Sequence, residues 1–289
     1  MSQETIGILH PGAMGVSVAA SALRSGHQVC YASEERSDAT RARATEHNLQ
    51  DLGTFAELCK TCSIIISACP PHAAEEVARQ VSAHGFKGLY LDANAISPQK
   101  ARHIGEMLSS AGITFIDGGI IGGPAWTPGE TWLYLSGKEA ERIVDCFSAG
   151  PLEVSIVGNE IGKASALKMC YAAYSKGTTA LLASILALAE ANGVRAELSA
   201  QWGRDEPGFS EQAEGRARRV TAKAWRFAGE MDEIASTFES AGLPGGFHTA
   251  AGEIYRRLAH FKGTEEVPGL NDVLSALRGR WKGTETRWV

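Results

Sequence analysis

The chain has 289 residues, a formal net charge of -5 and 44% hydrophobic residues. That length accommodates two domains or one large one. Its charges are mixed in sign, so no basic stripe points to nucleic acid, and no apolar run is expected to approach the roughly 20 residues of a membrane span.

The first element is an apolar run at residues 6–9, which reads as a buried strand. The turn His10-Pro11-Gly12-Ala13-Met14-Gly15 follows, then a helical segment at 14–25. A strand, a tight turn and a helix N-terminus together aim backbone amides at a phosphate. The turn follows the dinucleotide fingerprint G-x-G-x-x-G with His10 in place of the first glycine. Gly12 is the position that lets the backbone approach a pyrophosphate, and Gly15 the one that lets helix and strand pack closely. Pro11 compensates for the missing glycine by fixing its own φ. The start of the chain lacks the basic segment and cleavage site of a secretory leader, so a cytoplasmic protein is expected.

Strands are then expected at 28–32, 63–68, 89–92 and 113–116, with helices near 37–47, 55–58, 72–84 and 98–111. Two further strands read at 131–137 and 153–157. Such alternation implies a doubly wound parallel sheet covered on both faces, a Rossmann-type α/β domain at residues 1–158. From Gly162 to Asn192 there is no proline, and helix formers dominate up to Gly193. A helix of about 30 residues, roughly 45 Å long, therefore opens a smaller all-α domain at 159–289. The six cysteines, at 30, 59, 62, 69, 146 and 170, read as free thiols. Cys59 and Cys62 have neither a second pair nor a nearby His to complete a metal site.

Four segments in order carry a resemblance. They are His10 to Gly15; Asp92-Ala93-Asn94-Ala95-Ile96-Ser97-Pro98; Asp117-Gly118-Gly119-Ile120-Ile121-Gly122-Gly123; and Gly158 followed by Gly162-Lys163-Ala164-Ser165-Ala166-Leu167-Lys168. They are similar to the nucleotide loop, the D-x-S-T-x-x-P loop, the D-A-P-V-S-G-G substrate loop and the catalytic helix of the β-hydroxyacid dehydrogenase superfamily. Within it, the chain resembles 6-phosphogluconate and 3-hydroxyisobutyrate dehydrogenases over residues 5 to about 195. The resemblance implies an NAD(P)-dependent oxidoreductase moving hydride between nicotinamide and a small hydroxy acid or related alcohol. It also implies a homodimer.

On this resemblance Lys168 is the general acid/base. Most helical lysines are solvated charges, but this turn is apolar on most sides, which predicts a depressed pKa suited to proton transfer. His10, Pro11, Gly12, Ala13 and Met14 would hold the cofactor, together with Ser33, Arg36, Cys69, Pro70 and Asn94. Asn94 would lie on the nicotinamide side, with an Asx-turn as the structural alternative. Ser33 occupies the selective position after the second strand. Arg36 with Ser37 suits a 2′-phosphate, which favours NADP over NAD, while Glu34 argues for NAD.

The departures concern substrate. Ile121 replaces the family's serine, leaving the amides of Gly122 and Gly123 to bind an anion. Ala172 replaces its asparagine, and Tyr171 and Ser175 at i+3 and i+7 from Lys168 either supply that hydrogen bond or simply pack. A more apolar pocket follows, with Trp126 and Trp132 as candidate walls. His248 reads as a capping or surface residue. The rival readings are an imine reductase and a dinucleotide-binding protein without turnover.

Overall fold

A computed structural model describes residues 3–264 and 266–279. The chain divides into two compact units, Met1–Met169 and Cys170–Val289, and the division falls inside one long helix.

The first unit contains, among the described residues, strands β1 (Thr5–Ile8), β2 (Gln28–Tyr31), β3 (Gln50–Asp51), β4 (Ile64–Ser67), β5 (Leu89–Asp92), β6 (Thr114–Ile121), β7 (Trp132–Ser136) and β8 (Glu153–Gly158). Its helices are α1 (Ala13–Arg24), α2 (Asp38–Glu46), α3 (Phe55–Thr61), α4 (Ala74–Ala83), α5 (Pro98–Ser110) and α6 (Ala140–Asp145). The helix α7 (Lys163–Ala191) begins in this unit and continues in the second.

The strands form one sheet in the order β3-β2-β1-β4-β5-β6-β7-β8. This is a Rossmann-like order, and the topological switch point lies between β1 and β4. Two features depart from the expected parallel sheet. The pair β6–β7 is antiparallel, because the 122–131 connection holds no helix to carry a parallel crossover. Strand β6 also runs on to Ile121, so residues 117–121 belong to a strand and not to a loop.

Alternation along the strands builds the two faces. Ile64, Ile66, Leu89 and Leu91 join the core on one face with Val16 and Ile116. Ile65 and Tyr90 join Leu58, Ile104 and Phe115 on the other. Burial on both faces is why these strands read as unbroken apolar runs. Side-chain caps fix the helix starts: Ser37, Thr54 and Ser97 each accept a hydrogen bond from the amide three residues on.

The second unit contains the rest of α7 with α8 (Arg195–Asp205), α9 (Phe209–Arg219), α10 (Ala224–Ser240), α11 (Gly246–Leu258) and α12 (Leu270–Leu277), and no strand among its described residues. A buried ion pair, Lys176–Glu230, lies inside it. The Tyr255 hydroxyl donates to the Lys176 carbonyl at 2.7 Å. His248 is buried, not on the surface as expected, with its ring 4.3 Å from that of Phe238. Phe238 and Phe247 cover it from two sides, a packing that a single helix-start pattern does not reveal.

By length and composition α7 is apolar enough to cross a membrane, and half of its most apolar window is buried within the protein. The sequence reading expects no apolar run of this length, and α7 departs from that expectation. In α7 the alanines and leucines are interleaved with Ser, Thr and Lys.

Candidate functional site

The carboxyl ends of β1, β4, β5 and β6 lie along one edge of the sheet, as their parallel pairing requires. Open α/β sheets bind ligands at this edge, beside the switch point. The turn after β1 is built for close passage. A Cβ on Gly15 would lie 2.2 Å from the His10 carbonyl oxygen, so only glycine lets α1 start here. At Gly12 a Cβ would meet nothing within 4 Å, so this backbone faces open space. No acidic side chain occupies the first turn of α1, and its N-cap Gly12 makes no side-chain bond, leaving the N-terminal amides for an anion. Pro11 is buried and Met14 half-buried, whereas Ala13 is exposed on the first turn.

His10 contributes through its backbone and its neutrality. Burial, and then the positive charge of Arg36, hold its imidazole down at about 4. Arg36 is thereby placed beside the nucleotide turn. Arg43 of α2, which sequence reasoning missed, donates from Nη1 to the Pro11 carbonyl at 3.3 Å. Ser33 is anchored through its amide to Asp51 Oδ1 at 3.1 Å. Ser37 caps α2, and its hydroxyl also bonds the Thr40 hydroxyl at 3.0 Å. Glu34 turns its carboxylate onto the Phe55 amide at 3.0 Å, capping α3.

At the ends of β4 and β5, Asn94 is buried and fully engaged. Its Oδ1 accepts from the Cys69 amide at 2.5 Å, and its Nδ2 donates to Ser67 Oγ at 3.1 Å. The Asx-turn here belongs to Asp92, whose Oδ1 accepts from the Asn94 amide at 2.9 Å. Asn94 therefore braces the Cys69-Pro70 turn beside the crevice, with Cys69 and Pro70 half-buried.

Strand β6 carries the start of α7. Asp117 Oδ2 accepts from Ser136 Oγ at 2.8 Å, from the Gly162 amide at 2.9 Å and from the Ser165 amide at 3.1 Å, and Oδ1 accepts from Ser165 Oγ. A buried carboxylate thus holds the positive end of a helix. A Cβ on Gly119 would lie 2.8 Å from the Ala164 carbonyl oxygen and 3.0 Å from Lys168 Cβ, so glycine admits the helix. Within the segment matched to a substrate loop in sequence, Asp117 and Gly119 hold the start of α7, while Gly118 packs between the Asp92 carbonyl and Leu133.

Lys168 is half-buried, and its Nζ donates to the Ile120 carbonyl at the end of β6. Ile121 is half-buried beside it in sequence, and Gly122 and Gly123 are exposed. The following loop is tied down twice: Thr131 Oγ1 donates to the Gly123 carbonyl, and the Ala125 amide to Ser17 Oγ, both at 2.9 Å. Trp126 stacks on His47 with ring centroids 4.8 Å apart, and Trp132 lies half-buried on β7.

The first unit thus brings to one edge the 10–14 turn, Ser33, Arg36, Cys69, Pro70, Asn94, Ile121 to Gly123 and Lys168. Tyr171 and Ser175 lie in the second unit. Tyr171 is exposed, and the Ser175 carbonyl accepts from Thr179 Oγ1 at 2.8 Å and Arg216 Nη2 at 3.0 Å. Asp92, Asp117 and Arg43 went unassigned in sequence; the register of β5 against β6 was the signal available for the two acids.

Residues 5–146 match the model of the NAD binding domain of 6-phosphogluconate dehydrogenase, and residues 189–258 match that of a domain of unknown function. An uncharacterized 28.5 kDa protein from Methanothermus fervidus is 29% identical over 163 residues; the alignment covers 56% of this chain and 62% of that protein. Thus the chain spans less than two thirds of the curated relative it matches. Among solved structures, a conserved protein of unknown function, described as structurally similar to 3-hydroxyacid dehydrogenases, is 25% identical with a TM-score of 0.66 over 89% of this chain and 97% of that one. The 3-hydroxyisobutyrate dehydrogenase of Mycobacterium tuberculosis, with L-serine, shares the fold at 19% identity and a TM-score of 0.70, covering 96% and 100%. An imine reductase from Myxococcus stipitatus with NAD+ shares it at 18% and 0.56, covering 96% and 100%.

Proposed function

Since residues 5–146 belong to the NAD-binding domain family of 6-phosphogluconate dehydrogenase, we propose that the chain is an NADP(H)-preferring oxidoreductase acting on a small hydroxy acid or related alcohol. The observation that carries this reading is the placement of Lys168 Nζ at the carboxyl end of β6, on the same edge as the nucleotide turn. Its hydrogen bond to the Ile120 carbonyl fixes the head group at that edge, where a substrate hydroxyl would meet it. As the amine it takes the hydroxyl proton during oxidation, and as the ammonium it returns a proton during reduction. The nicotinamide, when bound, supplies or accepts the hydride at C4.

The choice of NADP rests on the occupancy of the rival acid. Glu34 is spent on capping α3, which leaves Arg36 and Arg43 as the charges flanking the turn. The amides at the start of α1 beside Gly12 would hold the pyrophosphate. Ile121, standing where relatives carry a serine, favours a less polar substrate and supports imine reduction as the second reading. We propose a homodimer as well, supported within the second unit by Tyr171, Tyr174, Leu181 and Leu188, large apolar side chains left exposed on α7. Light scattering after gel filtration checks it.

Titration with NADPH and NADH, followed by fluorescence, tests the cofactor reading, and no response to either overturns it. A panel of hydroxy acids, alcohols and cyclic imines assayed by nicotinamide absorbance then separates the chemistries. On any substrate that turns over, Lys168→Ala is expected to lower kcat by about 10²–10⁴-fold; undiminished kcat removes Lys168 from the reaction.

A further inference from the structure

Asp92 and Asp117 are register partners on adjacent parallel strands, and both are fully buried. Their surroundings are unequal. Asp117 accepts four hydrogen bonds, two from backbone amides and two from serine hydroxyls. Asp92 is bonded by Asn94 alone, its Oδ1 accepting from the Asn94 amide, and its Oδ2 is buried with no hydrogen-bond partner. Where two carboxyls share a buried site, the better-solvated one keeps the charge and the other keeps the proton.

We propose that Asp92 holds this proton, that as the neutral acid it is a positioning residue for Asn94 at the cofactor edge, and that its ionisation weakens dinucleotide binding. The proposal rests on the cofactor reading above. The groups facing Asp92 are the phenol of Tyr90 on its own strand, Ser67 and Cys69 at the end of β4, Asp117 on β6 and Lys100 on α5. Lys100 is the one cation among them, and its Nζ also donates to the Pro71 carbonyl at 3.3 Å. Burial pushes the Asp92 carboxyl up to about 7, against the hydrogen bonds from Asn94, with the charge of Asp117 adding to the rise.

The link to binding is geometric. Asp92 Oδ1 fixes the Asn94 backbone, and the Asn94 side chain in turn fixes the Cys69 amide and Ser67 Oγ. These turns flank the crevice at the ends of β4 and β5. A negative charge appearing on Asp92 stands on the same sheet edge as the turn that would hold an anionic pyrophosphate, and low-dielectric protein screens such a repulsion poorly. Binding and proton retention are therefore reciprocal: the dinucleotide stabilises neutral Asp92, and neutral Asp92 strengthens the dinucleotide.

The test titrates NADPH into the full chain and into Asp92→Asn between pH 6 and 8.5. Both proteins see the same titration of the ligand phosphate, so their difference isolates Asp92. The wild-type Kd is expected to rise about three- to tenfold more than that of Asp92→Asn over this range. Parallel Kd curves overturn the proposal. Infrared spectra of the nucleotide-free wild-type protein give an independent readout if the variant fails to fold. A buried protonated-carboxyl band present at pH 6 and lost by pH 8.5 supports the assignment, and its absence at pH 6 overturns it. A titrating band without nucleotide binding in either protein overturns the cofactor reading, and with it the effect on binding, while leaving the proton on Asp92.

Discussion

Replacing Asp117 with alanine tests how the first turns of α7 are held. The substitution removes the acceptor for the Gly162 amide, the Ser165 amide, Ser165 Oγ and Ser136 Oγ. The hydroxyls have a way out: Ser136 Oγ still accepts from the Ala164 amide at 3.2 Å, and Ser165 Oγ rotates about χ1. The two amides do not, since they are buried at a helix end whose geometry is set by β6. At about 1–3 kcal/mol for each orphaned group, the two amides cost about 2–6 kcal/mol, and relief from the desolvated charge brings the net loss to about 2–4 kcal/mol. Global unfolding of a chain with two units is not two-state. The assay is therefore amide hydrogen exchange in the 162–168 segment, where a loss of 3 kcal/mol speeds exchange by roughly 150-fold. Asp117→Asn, which keeps one carbonyl oxygen but turns an N–H₂ toward an amide, is expected to fall between. Exchange within about fivefold of wild type in Asp117→Ala would refute the claim that this carboxylate holds the helix.

Further expectations concern the nucleotide edge. Gly15→Ala forces the start of α1 away from the His10 carbonyl and is expected to cost about 1–3 kcal/mol of stability as well as nucleotide binding. Gly12→Ala, whose Cβ meets no atom of the protein, should keep the wild-type Tm and lose affinity; equal effects from the two changes would contradict the separate roles assigned here. Arg36→Ala is expected to weaken NADPH by about tenfold or more while sparing NADH, measured as the ratio of Kd values. Stability should also depend on Asp92. Its carboxyl sits at about 7 when folded, well above the ordinary 3.8. The folded state therefore binds the extra proton between these values, and that contribution is complete below pH 4 and is lost as pH rises through 7. Amide hydrogen exchange in β4 and β5, corrected for its intrinsic pH dependence, should show a shallower loss of protection across pH 4–8 in Asp92→Asn.

The sheet was legible because its strands advertise burial on both faces. Ile64-Ile65-Ile66 and Leu89-Tyr90-Leu91 are apolar whichever way they point, and the caps Ser37, Thr54 and Ser97 mark the helix starts that follow strand ends. The nucleotide turn was legible from Gly12 and Gly15 because their spacing reflects backbone contacts. The role of Asp117 was not, since a carboxylate satisfied by amides 45 and 48 residues away leaves no local pattern. The extension of β6 through two glycines reads as a loop for the same reason: glycine is poor strand material, and only contacts distant in sequence explain it, α7 at Gly119 and the neighbouring strands at Gly118. Asn94 was placed at the right edge, but its side chain is engaged with Cys69 and Ser67 through contacts that sequence spacing does not encode.

The clash that excludes a side chain at position 15 runs to the carbonyl oxygen of His10, and the imidazole takes no part in it. Position 10 thus enters this contact through its backbone carbonyl, and position 15 through the side chain it must lack. Search patterns that demand glycine at both will miss chains of this kind. A pattern that leaves the first position open, keeps the second and third glycines, and requires a strand before them and a helix after would recover them.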